Sequence, residues 1–237
     1  MAVSSSTAPQ SPDAAFYSNF VLAWAEMRGY KTEMLRGHPC ACRNDHKRID
    51  WERVCIEPSK EEFETMSSIA KKSDSCALTV IATDPEPYKE LGRQQGFDLL
   101  CDEAVMTVDF GSDVMSLEAS SNRDHFETAT AKEKVGHRTV FRLQITQDGA
   151  PVAKGQICVD GDIAIFDRIT TEEAMRRRGL GSLVMRTLAT DAVAAGADKG
   201  WLIASPQGQL LYERLGWKTA CRLISFGNKD LVAGDPI

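Results

Sequence analysis

One stretch of this sequence combines residue types that can hold an anion. Ile163–Ser182 (IAIFDRITTEEAMRRRGLGS) passes from an apolar, strand-like run through a basic loop into the start of a helix. Backbone N–H groups at a helix start have no partner within the helix, and the helix dipole draws negative charge to that end. Gly179 and Gly181 allow a phosphate to approach the main chain, and Arg176, Arg177 and Arg178 place cationic charge beside those amides. The segment therefore reads as a diphosphate cradle rather than a merely solvated helix start. It lacks the Gly-Lys-Ser/Thr of a nucleotide P-loop and the G-x-G-x-x-G of a dinucleotide fingerprint, so neither of those ligand classes is indicated.

Two other constellations carry less. His38, Cys40, Cys42 and His46 set four zinc-type ligands within nine residues. Structural zinc sites usually draw on two separated knuckles, whereas Cys40 and Cys42, two apart in an extended strand, share one face. A buried thiol pair is the better reading, and no metal is expected. Cys158 has no histidine nearby in sequence to activate it, which argues against an acyl-carrying nucleophile.

The elements that must position the cradle follow from periodicity and punctuation. Ala14–Arg28 is an amphipathic helix, with Phe16, Phe20, Val21, Trp24 and Met27 at helical spacing. Strand-like runs follow at Lys31–Cys42 and Ile49–Ile56, joined by the turn Asn44-Asp45. Ser59 with Glu62 is a capping-box start to a helix reaching about Lys72. Cys76–Thr83 reads as a buried strand, Tyr88–Gln95 as a short helix and Val105–Phe110 as a strand. A polar linker runs from Gly111 to about Val135. Beyond it, Arg138–Gln147 and Pro151–Val159 form a hairpin across Asp148-Gly149, and Ile163–Thr171 is a third strand. Gly181–Ala195 is a helix with Leu183, Val184, Leu188 and Val193 on its apolar side. Gly200–Ser205 is a buried strand, Gln207–Leu215 a short helix and Thr219–Phe226 a last strand.

The two halves share an order of elements. Ile81-Ala82-Thr83, Pro85, a helix and Gly96-Phe97 in the first correspond to Ile203-Ala204-Ser205, Pro206, a helix and Gly216-Trp217 in the second. The offset is 122 residues at the strand and 120 at the Gly-aromatic pair. A degenerate internal duplication accounts for this and stands or falls on whether the halves share a topology.

Composition sets the outer limits. The 237 residues, 43% hydrophobic and 26% charged, suit a soluble globular chain of one or two domains. No apolar run approaches the roughly 20 residues a bilayer span needs, so no membrane partner is expected. Met1–Pro12 lacks a basic patch followed by an apolar run and reads as a disordered tail rather than a signal peptide. The seven cysteines are odd in number and scattered, as expected of reduced thiols in a cytoplasmic protein. The net charge of −6 falls wholly within residues 1–110, with 12 Lys+Arg against 18 Asp+Glu; residues 111–237 balance at 16 each. Nucleic acid is not an expected partner, because phosphate backbones need basic surface.

Arg176-x-x-Gly179-x-Gly181 after a strand resembles the acetyl-CoA loop of the GNAT acetyltransferase superfamily, R/Q-x-x-G-x-G/A. Gly200–Ser205 followed by Leu211-Tyr212-Glu-Arg-Leu-Gly216-Trp217 is similar to that superfamily's fifth strand, fourth helix and Y-x-x-x-G-F/W ending. The resemblance covers about residues 135–228. It implies an α/β (α+β) fold with a mixed, splayed central sheet flanked by helices. The first half, which has no R-x-x-G-x-G, would be a degenerate copy. The expected division is a tail at 1–12, an N-terminal α/β region at 13–110 without a cofactor loop, and an acetyl-CoA-binding domain at 111–237. A GNAT core also has a first strand before its hairpin. Either Val105–Phe110 serves as that strand, or the first half is a separate copy packed alongside.

Under this resemblance the main chain of Ile169, Thr170 and Thr171 pairs with the pantetheine arm between the splayed strands. Arg176, Arg177, Arg178, Gly179, Leu180, Gly181 and Ser182 hold the diphosphate, and Gly208 allows a close backbone approach. Tyr212 matches the position whose phenol protonates the departing thiolate. Asp167 is the carboxylate nearest the splay and the candidate base, with Glu172 and Glu173 next. The expected function is transfer of an acetyl group from acetyl-CoA to a primary amine, a small molecule or peptide, by direct attack. Rivals are a non-catalytic acyl-CoA-binding regulatory module and an acyltransferase using another acyl-CoA. One cofactor site per chain is expected, since the equivalent first-half helix starts with acidic Ser59-Lys-Glu-Glu62. Trp217 and the last strand are where a homodimer edge would lie.

Overall fold

The computed structural model describes residues 13–43, 49–111 and 126–228. The tail at 1–12, the Asn44-Asp45 turn, His46 and positions 112–125 of the expected linker lie outside these residues. The chain sorts into two compact units. One takes residues up to Leu22, Lys31–Asp102 and the segment from Cys221; the other takes Ala23–Tyr30 and Glu103–Ala220. The sequence reading places one boundary near residue 110. In the structure helix α1 (Ala14–Met27) and two strands, Asp98–Asp109 and Lys218–Gly227, each begin in one unit and end in the other.

In the first unit, β1 (Lys31–Leu35) and β2 (His38–Cys42) form an antiparallel hairpin. The expected single strand over 31–42 is broken at Arg36-Gly37, whose φ angles of 53° and 85° fit the tight turn that matches strand twist. β3 (Trp51–Ile56), α2 (Lys60–Ala70), β4 (Cys76–Ala82) and α3 (Glu86–Gln94) follow. β3 and β4 are parallel across α2, as a helical crossover requires. The capping box forms as expected: Glu62 N–H donates to Ser59 Oγ at 3.2 Å, and Ser59 N–H donates to Glu62 Oε2 at 2.7 Å. Phe63, Met66 and Ala70 of α2 pack on Cys55, Leu78 and Val80. The strand Asp98–Asp109 is β5.

The second unit contains β6 (Glu127–Val135), β7 (Arg138–Gln147), β8 (Ala150–Asp160), β9 (Ile163–Thr171), α4 (Leu180–Ala194), β10 (Lys199–Ala204) and α5 (Pro206–Arg214). Its strands run in the order β5-β10-β9-β8-β7-β6. β6 falls in the expected linker. Its Thr, Ala, Lys and Glu side chains are exposed along nearly its whole length, so no apolar alternation marks it. It takes the first-strand place beside β7 for which Val105–Phe110 was one candidate, while β5 pairs with β10. Helix α4 buries Leu180, Val184, Met185, Leu188, Ala189 and Ala192. Val193, expected on that face, is 52% exposed, because the buried stripe passes through 188, 189 and 192 instead.

The last strand, Lys218–Gly227, is β11 and pairs antiparallel with β4. Each unit thus repeats one order: antiparallel hairpin strands, a parallel pair bridged by a helix, a second helix, and a closing antiparallel strand. The closing strands are exchanged along the chain, since β5 follows α3 yet pairs with β10, and β11 follows α5 yet pairs with β4. The second helices end alike. Gly96 and Gly216 sit at φ 75° and 81°, and Phe97 and Trp217 N–H groups each donate back at 3.0 Å, to the carbonyls of Gly92 and Tyr212.

Candidate active site

The site is built where β9 parts from β10. Their parallel pairing runs only from Ile163↔Lys199 to Phe166↔Leu202, although both strands continue. From Asp167 onward the β10-facing edge of β9 is released, which is the splay expected from the sequence.

At the same point β9 bulges against β8. Lys154 pairs with Thr170 and Gln156 with Asp167, so Arg168 and Ile169 together oppose the single residue Gly155. Arg168 lies at φ 53°, a left-handed conformation costing a side-chain-bearing residue roughly 1–2 kcal/mol. Both flanks are pinned. On one, a Cβ at Gly155 would stand 2.6 Å from Ile169 Cδ1 and 2.6 Å from Val184 Cγ1, so Ile169 and α4 fill the space the glycine leaves. On the other, the Arg28 guanidinium grips Asp167 through Nε–Oδ2 at 2.9 Å and Nη2–Oδ1 at 2.5 Å. Gln156 donates to Asp167 Oδ2 at 2.7 Å. The two charged side chains are 6% and 8% exposed. This placement does not suit Asp167 to the role of base: both carboxylate oxygens already accept charge-assisted or amide hydrogen bonds. Glu172 and Glu173 are exposed. Arg28, Gly155 and Gln156, which shape this stretch of β9, carry no local sequence signal.

Beyond β9, a 3-10 turn (Glu173–Met175) leads to the arginines and the start of α4. Arg176 uses its own amide in that turn, donating to Glu173 O at 3.2 Å, and its Nε reaches Thr171 O at 3.4 Å. Arg177 and Gly179 adopt φ 63° and 81°, left-handed positions on either side of Arg178. Arg178 stacks over Phe126 at 5.4 Å. No side chain caps α4, so the amides of Gly179, Leu180, Gly181 and Ser182 at its first turn are left for a ligand. A Cβ on Gly181 would come within 3.0 Å of Leu211 Cδ2, so this helix start lies close against α5. The donor set of uncapped amides and three exposed arginines fits a diphosphate.

Tyr212 stands on α5, whose Ser205 caps it by accepting the Gly208 N–H at 3.2 Å. That hydrogen bond occupies the Gly208 amide. The glycine serves another purpose than the expected backbone approach to a ligand: a Cβ there would lie 2.9 Å from Tyr212 Cε2. Tyr212 is 8% exposed and packs on Trp217, with ring centroids 6.2 Å apart. Its hydroxyl has no hydrogen-bond partner among the described residues. Burial, then the negative charges of Asp167 and Glu103, push its phenol up to about 12. It therefore keeps its proton at neutral pH. Glu103, a buried carboxylate of β5, was not singled out by any sequence pattern.

The remaining candidates are placed elsewhere. Cys158 is fully buried and its thiol is pushed up to about 12 by burial, which makes a nucleophilic thiolate unavailable. Cys40 is buried and Cys42 half-buried on β2, and all seven cysteines are free thiols. Among the described residues no three His, Cys, Asp or Glu side chains gather to hold a metal. No helix among them is long and apolar enough to cross a membrane.

Among the described residues, the first unit shows no comparable opening. β3 and β4 stay paired from Trp51↔Cys76 to Ile56↔Ile81, so no gap opens. Beyond β3 the Glu57 carboxylate accepts the Thr83 N–H at 2.7 Å and the Tyr88 hydroxyl at 3.3 Å. At the 120-residue offset, Gly92 stands where Tyr212 does. A Cβ there would meet Phe226 Cε1 at 2.5 Å, so a ring from β11 occupies the space.

Comparison with known proteins agrees with this fold. Residues 111–217 match the family model described as the acetyltransferase (GNAT) family. Among solved structures, a GCN5-related N-acetyltransferase from Kribbella flavida is 16% identical with a TM-score of 0.65, covering 91% of this chain and 95% of that one. A tandem GNAT protein from the clavulanic acid biosynthesis pathway is 10% identical with a TM-score of 0.58, covering 80% and 77%. A GCN5-related N-acetyltransferase-like protein from Streptococcus suis 89/1591 is 10% identical with a TM-score of 0.53, covering 87% and 92%. No curated protein matches the chain. The fold, together with the family match, is that of an acyltransferase that draws on acyl-CoA. Residues 111–217 are a domain of the GNAT acetyltransferase family.

Proposed function

We propose that this enzyme transfers an acetyl group from acetyl-CoA to a primary amine by direct attack, with no covalent enzyme intermediate. The observation that carries the reading is the run of open backbone from the released β9 edge at Asp167–Thr171 to the uncapped α4 start at Gly179–Ser182. Acetyl-CoA supplies the activated acetyl group as a thioester. The amides of Arg177–Ser182, with the arginine side chains, hold its diphosphate. Ile169, Thr170 and Thr171 pair with its pantetheine arm as an added strand would.

The amine nitrogen, unprotonated, bonds to the acyl carbon while the carbon–sulfur bond breaks. Tyr212 gives its proton to the departing sulfur, and the proton lost by the nitrogen regenerates the phenol. A positioned donor of this kind contributes typically 100- to 10,000-fold. Asp167, already accepting from Arg28 and Gln156, is not assigned the role of base. The acceptor is a small molecule or a peptide amine, and the seven free thiols suit a reducing, cytoplasmic setting.

The test is coenzyme A release with acetyl-CoA and a panel of primary amines, in the wild type and in Tyr212→Phe. Amine-dependent release that collapses in the variant, with acetyl-CoA affinity unchanged, supports the reading. Wild-type binding of acetyl-CoA without turnover on any amine would favour a sensor instead.

A further inference from the structure

Arg28 lies far outside the matched family segment, yet it is built into this unit. Past the end of helix α1, Gly29 takes a φ of 73°, which lets Tyr30 N–H close back on Ala25 O at 2.9 Å. The end of α1 is tied down by neighbouring strands: Arg142 of β7 donates to Met27 O at 3.2 Å, and Glu26 pairs with Arg138 of β7, which also holds Asp160 of β8. Arg28 itself stacks on Trp24 with its guanidinium carbon 4.7 Å from the ring centroid, and it donates to Tyr30 Oη at 3.4 Å. Its fork has little freedom, and it is aimed at Asp167.

Asp167 is the first residue of β9 released from β10 and the last before the left-handed Arg168. We propose that Arg28 is a positioning residue for acyl transfer: through Asp167 it fixes the bulge at Arg168–Ile169, and with it the course of the open edge that receives the acyl donor. The inference rests on the donor placement proposed above. A planar two-pronged grip suits this task better than a point charge, since it sets direction as well as distance. The acyltransferase unit would then need a segment of the N-terminal helix to shape its own cleft, and the bulge would be set before any ligand arrives.

The experiment uses the full chain and four variants: Arg28→Met, Arg28→Lys, Asp167→Asn, and Arg28→Met combined with Asp167→Leu. Deuterium uptake of the peptide 163–171 is followed without ligand and with acetyl-CoA, alongside melting temperature, kcat and KM. Arg28→Met and Asp167→Asn should speed unliganded uptake about tenfold and lower kcat roughly 10- to 100-fold, as a small misplacement of reacting groups does. Arg28→Lys should fall between these and the wild type. The double variant, with an apolar pair in place of the ions, should regain melting temperature but neither slow uptake nor kcat, which separates positioning from simple stability. Wild-type uptake in Arg28→Met, or full kcat in the double variant, would overturn the proposal. Acetyl-CoA that fails to slow uptake in the wild type would overturn the donor placement, whatever Arg28→Met does without ligand.

Discussion

The ring of Tyr212 lies over Gly208, one helical turn earlier on α5, so closely that a Cβ on the glycine would stand 2.9 Å from Cε2. The glycine sets where the phenol points. Gly208→Ala should push the ring aside and lower kcat at least tenfold, with a smaller change in acetyl-CoA KM, as for a donor misplaced by a fraction of an ångström. Steady-state kinetics on the variant decide it, and an unchanged kcat would mean the ring's position does not matter.

The protonation of Tyr212 can be read directly. Burial and the neighbouring carboxylates push its phenol up to about 12, against about 10 for a free tyrosine. An acid that holds its proton more tightly when folded stabilises the fold fully below the free value, and loses that contribution as pH rises toward 12. The tyrosinate absorbance of the wild type minus that of Tyr212→Phe should therefore show its step near 12 or with alkaline unfolding. A step near 10 would contradict the buried, proton-holding phenol.

Gly155 offers a test of the bulge that leaves every polar group in place. Gly155→Val would drive methyl groups into Ile169, Val184 and Leu188. Such overpacking costs typically 1–3 kcal/mol, a fall in melting temperature of roughly 3–10 °C for a chain of this size. A neutral result would show that β8 and α4 yield easily there.

Calorimetry with acetyl-CoA should give one site per chain. The first unit keeps β3 and β4 paired along their length, seals the end of β3 with Glu57, and fills the Gly92 position with Phe226. A stoichiometry of two would overturn the view that this unit has lost its cleft.

Much of this was legible in the sequence because the informative signals are local. Arg176, Gly179 and Gly181 fall within one loop and one helix start, and the Gly216-Trp217 ending lies four and five residues beyond Tyr212. The β7–β8 hairpin announced itself at Asp148-Gly149, both at positive φ. What escaped notice depends on distance or on absence. Arg28 and Asp167 are 139 residues apart, and nothing in either neighbourhood names the other. Gly155 matters for what its missing side chain admits, which a lone glycine in a strand does not reveal. β6 is an edge strand of Thr, Ala, Lys and Glu, and an edge blunted by charge resembles a linker when only polarity is read. The exchange of β5 and β11 is a property of pairing, invisible in either strand alone.

The most direct test of the donor site is thermal unfolding with and without acetyl-CoA, in the wild type and in Gly181→Glu. That substitution sets a carboxylate among the amides assigned to the diphosphate. A ligand at 100 times its Kd adds about 2.7 kcal/mol, a rise of roughly 5–10 °C here. That rise is expected in the wild type and not in Gly181→Glu, with both proteins melting cooperatively without ligand. An equal rise in both would place acetyl-CoA away from the α4 start and contradict the account.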